Sequence, residues 1–191
     1  MVHGNLTPHS KEACRPAERQ ASAMLTVMQH LTLTTTRLHL RPVEQQDVPA
    51  HVRLWTDAEV RRHLGGPVDA EVVRAREQGC VGAPGLLSIV RRADGQVVGS
   101  VLAEAEARNG HTEISYQLLP EHWGYGYARE AVTAVVDWAA VALPGREIVA
   151  VTQETNTRSR RLLDAVGGIL AERFVEFGEP QVLYRMPFRA S

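Results

Sequence analysis

One stretch of this 191-residue chain encodes a turn, rich in glycine, between a strand and a helix. It reads Pro120-Glu121-His122-Trp123-Gly124-Tyr125-Gly126-Tyr127-Ala128-Arg129-Glu130-Ala131. The preceding run, residues 111–119, alternates between apolar and polar side chains, which is typical of a strand. The following residues carry apolar side chains at helical spacing, at Ala128, Ala131, Val132, Val135, Val136, Ala139 and Leu143.

The start of this helix is a candidate anion site. Backbone N–H groups in a first helical turn lack partners and carry partial positive charge. Gly124 and Gly126 have no Cβ, so a phosphate can approach the backbone closely. Arg129 lies in the same turn, where a cation costs roughly 0.3–1 kcal/mol unless an anion is bound. The alternative, that Arg129 points into water beside Glu130, stays open at this point.

The motif and the composition exclude several classes of protein. A dinucleotide-binding fingerprint needs a third glycine at position 129, which is Arg129, and no G-x-x-x-x-G-K-[ST] loop occurs. A net charge of −1 argues against a dedicated nucleic-acid binder. No apolar run approaches the roughly 20 residues that span a membrane. The two cysteines and eight histidines show no metal-ligand spacing, so we expect a reduced, cytoplasmic protein without a metal.

The chain divides into a loosely ordered N-terminal extension, residues 1–30, and a single domain, residues 31–191. A first strand is predicted over 31–42, then short helices within 44–64, with Asp47 as a cap, and over 69–78. Asp94-Gly95 and Asn109-Gly110 are strong hairpin signals that join strands 86–92, 96–106 and 111–119. A helix (126–143), a strand (147–152), a helix (157–166) and a final hairpin (169–176 and 181–188) follow. This order predicts an α+β domain, a mixed sheet with helices on both faces.

A second motif follows the strand that ends near Gln153: Asn156-Thr157-Arg158-Ser159-Arg160-Arg161-Leu162-Leu163-Asp164-Ala165-Val166-Gly167. Asn156 is a natural helix N-cap. The spacing of Leu162, Leu163 and Val166 indicates a core face, and the arginines are typical of a solvated face.

Three pieces of the chain, taken in order, resemble the GNAT acyltransferases, and among them the ribosomal-protein-type, RimJ/RimL-like branch. They are Thr36-Arg37-Leu38-His39-Leu40-Arg41-Pro42, then 123–131, and then 156–163 with Gly167. The resemblance spans about residues 31–188, and the middle piece is the most specific. It implies the GNAT fold, in which a mostly antiparallel central sheet splays open between its fourth and fifth strands.

The resemblance also implies acetyl-CoA as co-substrate, without a metal, and an amine as acceptor. The pyrophosphate would bind the loop residues Trp123, Gly124, Tyr125, Gly126, Tyr127, Ala128 and Arg129. The pantetheine arm would pair like a strand along Gln117, Leu118 and Leu119. Asn156, Ser159 and Arg160 would complete the coenzyme site, and members of this branch are often homodimers.

The chain departs from the family pattern at the general acid. Many members carry Tyr at the position of Leu163, and Gly167-Gly168 replaces the usual Gly-Phe. A thiol with pKa near 8.5 needs little acid help on leaving, so Ser159 could suffice as the donor. Glu113, directly or through water, is the candidate base for the attacking amine, with Glu104 in reserve.

The prediction is an N-acetyltransferase that moves an acetyl group to a protein N-terminus, a lysine or a small-molecule amine by direct attack. The alternative is a non-catalytic acyl-CoA sensor or interaction module on the same fold. A dinucleotide-dependent oxidoreductase is disfavoured by Arg129 and by the hairpin-rich first half.

Overall fold

The computed structural model describes residues 28–143 and 147–186. The strands are β1 (Leu33–Thr34), β2 (Leu38–Pro42), β3 (Leu86–Arg91), β4 (Val97–Arg108), β5 (His111–Leu118), β6 (Ile148–Gln153), β7 (Ile169–Glu176) and β8 (Glu179–Met186). The α-helices are α1 (Val48–Thr56), α2 (Ala58–Arg61), α3 (Ala70–Gly79), α4 (Tyr127–Ala142) and α5 (Thr157–Ala165).

The eight strands form one sheet in the order β1-β2-β3-β4-β5-β6-β8-β7. Every neighbouring pair is antiparallel except β5 and β6, which run parallel. Those two strands pair only where they begin, Thr112 with Ile148 and Glu113 with Val149. Beyond that point they diverge, so the predicted splay and the α+β architecture are confirmed.

The predicted first strand is in fact a hairpin of two. Leu33 lies opposite Leu40 and Thr34 opposite His39, so the chain reverses between β1 and β2. The turn is held from outside, because Glu130 of α4 accepts hydrogen bonds from Thr35 and Arg37. The prediction of one continuous strand was therefore wrong. Because this adds one strand to the numbering, the strands predicted as fourth and fifth are β5 and β6.

Helices cover both faces of the sheet, as alternation along β3 shows. Leu87 and Ile89 are buried in the main core, which the apolar face of α4 fills. Ser88, between them, points to the other face and contacts His51 of α1. A second, smaller cluster packs on that face around Leu54, Trp55, Cys80 and Leu119.

One prediction of detail needs correction. Asp47 precedes α1, but its side chain makes no cap hydrogen bond to that helix and pairs instead with Arg41. Met28, near the predicted domain start at residue 31, is buried in the main core. Residues 1–27 lie outside the described residues, so the loose extension stays a prediction.

Both hairpin turns of the meander are confirmed. Gly95 has φ +74°, and Asn109 and Gly110 have φ of 51° and 81°, the left-handed backbone that such tight turns require. No helix within residues 28–143 and 147–186 has the length and apolar character to cross a bilayer. The same residues contain no cluster of side chains suited to a metal ion.

Candidate active site

The turn before α4 presents unpaired backbone donors to open space. Gly124 and Gly126 adopt left-handed φ values of +83° and +79°, which glycine reaches without a Cβ clash. A Cβ built on Gly124 would have no heavy atom within 4 Å. Gly126 is the N-cap of α4 and supplies no side-chain cap, so the first N–H groups of the helix stay available to an anion.

Glu130 fixes this turn against the β1–β2 hairpin. Its Oε1 accepts from Thr35 Oγ1 (2.6 Å) and Arg37 N (2.8 Å), and its Oε2 accepts from Arg37 Nε (2.7 Å). Arg37 Nη1 also donates to the Tyr125 carbonyl at 2.8 Å. Burial alone would raise the pKa of Glu130, but the hydrogen bonds from Thr35 and Arg37 hold it below its usual range. The first and middle sequence pieces are thus one structural unit.

A cleft of about 610 Å³ runs from this turn into the gap between β5 and β6. Thr112 N donates toward β6 and Leu119 N toward Val98 of β4. Because backbone groups alternate sides along a strand, the N–H and C=O groups of Tyr116 and Leu118 face the gap. The Leu118 carbonyl is already used, since Trp123 Nε1 donates to it at 2.8 Å.

Most of the residues predicted to bind the coenzyme line this cleft. They are Gln117, Leu118, Trp123, Gly124, Gly126, Tyr127, Ala128, Arg129, Asn156 and Ser159. Within the described part of the chain, the buried Oε1 of Gln117 has no hydrogen-bond partner.

Three of the predicted coenzyme residues are not among those that line the cleft. Leu119 is 2% exposed and packs in the second core cluster. The Tyr125 side chain points outward and is 62% exposed. The Arg160 guanidinium turns back to the Glu154 carbonyl, 3.1 Å away. Arg158, which was not in the predicted set, lines the cleft instead and lies 4.1 Å from the centroid of the Trp123 ring.

Glu113, the predicted base, is not among the cleft-lining residues. Its Oε2 accepts from Arg108 Nε at 2.9 Å, and the same guanidinium binds Glu176 at 3.1 Å. Glu104 lies opposite Glu113 on β4 and is also outside the lining residues. Both carboxylates therefore lie outside the set of residues that line the cleft, and Glu113 as the base stays a prediction.

Ser159 meets a second hydroxyl at the inner wall of the cleft. Its Oγ lies 2.8 Å from the hydroxyl of Tyr116. Burial raises the pKa of Tyr116 to about 12, although its hydrogen bond with Ser159 acts in the opposite direction. Asn156 caps α5 by accepting from Ser159 N at 3.1 Å. Leu163 is 1% exposed and packs in the core.

The far wall of the cleft was not predicted from sequence. Residues at and just after α2 form it, including Glu59, Arg62, His63 and Leu64. His63 Nδ1 lies 3.0 Å from Oε1 of Gln153, the last residue of β6, so this contact joins opposite walls. No local pattern around His63 signals this, because the partner lies 90 positions away in the sequence.

Comparisons with known proteins agree with this architecture. The family described as acetyltransferase (GNAT) domain matches residues 37–169. An uncharacterized N-acetyltransferase, p20 of Bacillus licheniformis, is 31% identical over 143 residues, which cover 71% of this chain and 80% of that protein.

Two solved structures share the fold. A GNAT-family acetyltransferase from Bacillus anthracis superposes with a TM-score of 0.74 at 21% identity, covering 82% of this chain and 98% of that chain. RimL, a ribosomal L7/L12 α-N-protein acetyltransferase in complex with coenzyme A, gives a TM-score of 0.67 at 18% identity, covering 83% and 98%. With a family match over most of its length and a split sheet beside an open anion site, the chain belongs to the GNAT acetyltransferase family and is an acyl-CoA-dependent acetyltransferase.

Proposed function

We propose that this protein moves an acetyl group from acetyl-CoA to a primary amine by direct attack in a ternary complex. The observation that carries the proposal is the continuity of the cleft. It joins the anion site at the start of α4, the open gap between β5 and β6, and the wall formed by α2. A thioester held in the gap would therefore meet an amine that enters past α2.

The residues of the cleft suit the coenzyme. The free N–H groups at Gly126 and the following residues would bind the pyrophosphate, with Arg129 and Arg158 near enough to add positive charge. The gap-facing amides of Tyr116 and Leu118 would pair with the pantetheine arm in the manner of a missing strand.

Ser159 is our candidate donor to the departing sulfur. Tyr116 remains protonated at neutral pH, because its pKa is about 12, and it can donate to Ser159 Oγ. The Ser159 O–H is then free to hydrogen-bond the thiolate. Tyr116 acts in this scheme as a positioning residue, and the pair compensates for Leu163, which has no hydroxyl.

An α-amine is the acceptor that needs the least help with deprotonation. Its pKa of about 7.7–8.0 leaves it appreciably neutral, whereas lysine near 10.4 costs roughly 3–4 kcal/mol to deprotonate at pH 7–8. The motif order and the fold shared with RimL, an α-N-protein acetyltransferase, support the RimJ/RimL-like branch and a peptide N-terminus as acceptor.

The test is release of free thiol from acetyl-CoA in the presence of an amine panel. The panel holds peptides with free N-termini, the same peptides blocked at the N-terminus but carrying a lysine, and small-molecule amines. We expect thiol release and a mass gain of one acetyl group on the free N-termini. Tight coenzyme binding with no acetylated product from any amine would contradict the proposal and favour a sensor.

A further inference from the structure

The proposed reaction needs a proton acceptor on the amine side of the cleft. We propose that His63 is that general base and that Gln153 is the positioning residue that holds its imidazole. The inference rests on the proposed function and adds the group that takes the proton from the amine.

His63 lies on the wall of the cleft that α2 and the residues after it form. It comes two residues after the end of α2, is partly buried, and lines the cleft with Glu59, Arg62 and Leu64. Its partner Gln153 ends β6, the strand that forms the other edge of the gap. The 3.0 Å contact between them therefore holds the imidazole beside the carboxyl end of β6.

The contact with Gln153 also sets the tautomer of the imidazole. An amide oxygen can only accept, so Nδ1 of His63 must be the donor to Oε1. A neutral imidazole carries one hydrogen, which places the lone pair on Nε2. Nε2 is the nitrogen that can accept a proton, and Gln153 here does for His63 what an orienting carboxylate does in other His-dependent sites.

The other titratable groups that line the cleft are less suited to this role. Burial lowers the pKa of His122, but its Nε2 has almost no accessible surface and so cannot meet a substrate. Tyr116, with a pKa of about 12, is a donor at neutral pH. Glu59 is strongly exposed and pairs with Arg62 at 3.6 Å. Tyr127 is buried beneath the guanidinium of Arg37.

Several charged groups surround the imidazole. Glu59 and Arg62 are its neighbours on the α2 wall, and Arg129 and Arg158 line the cleft from α4 and α5. Glu154, next to Gln153 in sequence, is engaged by Arg173 at 3.0 Å. Arg61 and Arg62 precede His63 immediately in the chain, and Glu59 lies four residues before it.

The step can be written with every atom accounted for. The nitrogen of a neutral amine forms a bond to the thioester carbonyl carbon, and Nε2 of His63 takes the proton that this nitrogen loses. The carbon–sulfur bond breaks as the tetrahedral intermediate collapses, and the electron pair leaves with sulfur as a thiolate, hydrogen-bonded by Ser159. The imidazolium then releases its proton to water, and the thiolate takes one from water.

The first test compares His63→Gln with His111→Gln, a matched histidine at the start of β5 that pairs with Glu147. The acceptor is the peptide that the wild-type protein acetylates fastest. A general base contributes about 10²–10⁴-fold, so we expect kcat/KM to fall at least about 100-fold in His63→Gln. The acidic limb of the pH–rate profile should disappear, while acetyl-CoA affinity and the activity of His111→Gln should stay unchanged.

Chemical rescue separates catalysis from support of the cleft wall. Added imidazole should restore turnover to His63→Gly in proportion to its concentration, since a free imidazole can occupy the vacated volume. Gln153→Glu, which still accepts from Nδ1, should retain activity with its acidic limb moved to a different pH. Gln153→Leu, which cannot accept, should lose kcat with little change in KM.

The outcomes distinguish this inference from the proposed function. No acetylation of any amine by the wild-type protein would contradict the proposed function and His63 with it. If His63→Gln turned over as fast as the wild-type protein and kept the acidic limb of the pH–rate profile, the role of His63 as general base would be contradicted, but the proposed function would not. Loss of coenzyme affinity in His63→Gln, together with no rescue of His63→Gly by imidazole, would also overturn it, because His63 would then only support the wall of the cleft.

Discussion

Two glycines determine what the start of α4 can bind. Any other residue at Gly124 or Gly126 would have to hold a left-handed backbone, and its side chain would occupy the space a phosphate needs. At Gly126 the nearest atom to a Cβ is Nη2 of Arg37, 3.5 Å away, so there is room for a side chain in the folded protein. A substitution at Gly126 therefore tests coenzyme binding more than it tests folding.

We expect Gly126→Glu to abolish coenzyme binding, because its carboxylate would stand at the anion site and repel a diphosphate. The matched control is Gly110→Glu in the β4–β5 turn, where φ is +81° and no atom lies within 4 Å of a Cβ. Both variants carry the same kind of backbone strain. Isothermal titration with acetyl-CoA should show no binding to the first and wild-type affinity for the second; equal affinities would refute the site.

The Tyr116–Ser159 pair allows a double-mutant cycle. We expect Ser159→Ala to lower kcat by roughly tenfold, the value of one hydrogen bond of about 1–1.5 kcal/mol. Tyr116→Phe should lower kcat less, and the two losses should not add, because Tyr116 acts through Ser159. Acetyl-CoA affinity is the control measurement. Fully additive losses in kcat would show that the two hydroxyls act separately.

Among the elements, α1 and the sheet are joined by a buried polar network. Arg41 donates to both oxygens of Asp47 at 2.6 and 3.0 Å, Ser88 donates to Asp47 at 2.9 Å, and His51 Nε2 lies 3.0 Å from Ser88 Oγ. Burial lowers the pKa of His51 to about 4, against the attraction of Asp47. The imidazole is therefore neutral in the folded protein at pH 7.

This network should make stability depend on pH. His51 binds a proton near pH 6.5 when unfolded and near pH 4 when folded. Its contribution is complete above pH 6.5 and is lost as the pH falls toward 4, by up to about 3 kcal/mol. Urea unfolding from pH 7 to 4 should show a shallower decline for His51→Gln than for wild type. The exposed His30→Gln is the control, and parallel slopes in all three proteins would contradict the role of His51.

An element can be predicted from sequence when the interactions that form it lie within a few neighbouring residues. The turns at Gly95 and Asn109-Gly110 were predictable, because their φ requirements are met by the residues themselves. The β1–β2 reversal was not, because the turn is held by Glu130, about 95 positions away. The same limit applies to the site. Gly124 and Gly126 were found from their motif, whereas the contact between Arg108 and Glu113 depends on tertiary packing.

At the scale of the whole molecule, the sheet consists of two parts joined by little backbone pairing. One part holds β1 to β5 and the other β6 to β8, and only two residue pairs connect β5 to β6. The main core under α4 spans both parts, with Ile114 on one side and Ile148 on the other. The expected homodimer stays a prediction; the hairpin tip residue Phe177, 92% exposed, is a candidate contact for it.

A coenzyme that bridges the two parts should stabilise the whole fold. At 100 times its Kd a ligand adds about 2.7 kcal/mol. For a chain of this size each kcal/mol raises Tm by roughly 2–4 °C, so we expect a rise of roughly 5–10 °C with acetyl-CoA. Adenosine 3′,5′-bisphosphate, which lacks the pantetheine arm, should give a smaller shift. Equal shifts from both ligands would mean that the arm does not occupy the gap.

The short pairing between β5 and β6 has a consequence for hydrogen–deuterium exchange. The Tyr116 and Leu118 amides face the gap beyond the last paired residues, whereas the Leu119 amide donates to Val98. In the free protein the first two should exchange quickly and the third slowly, although all three lie within four consecutive residues. Bound coenzyme should then slow Tyr116 and Leu118 selectively. Bound coenzyme would thus protect these amides as a ninth strand would, and the protection would end when coenzyme A leaves.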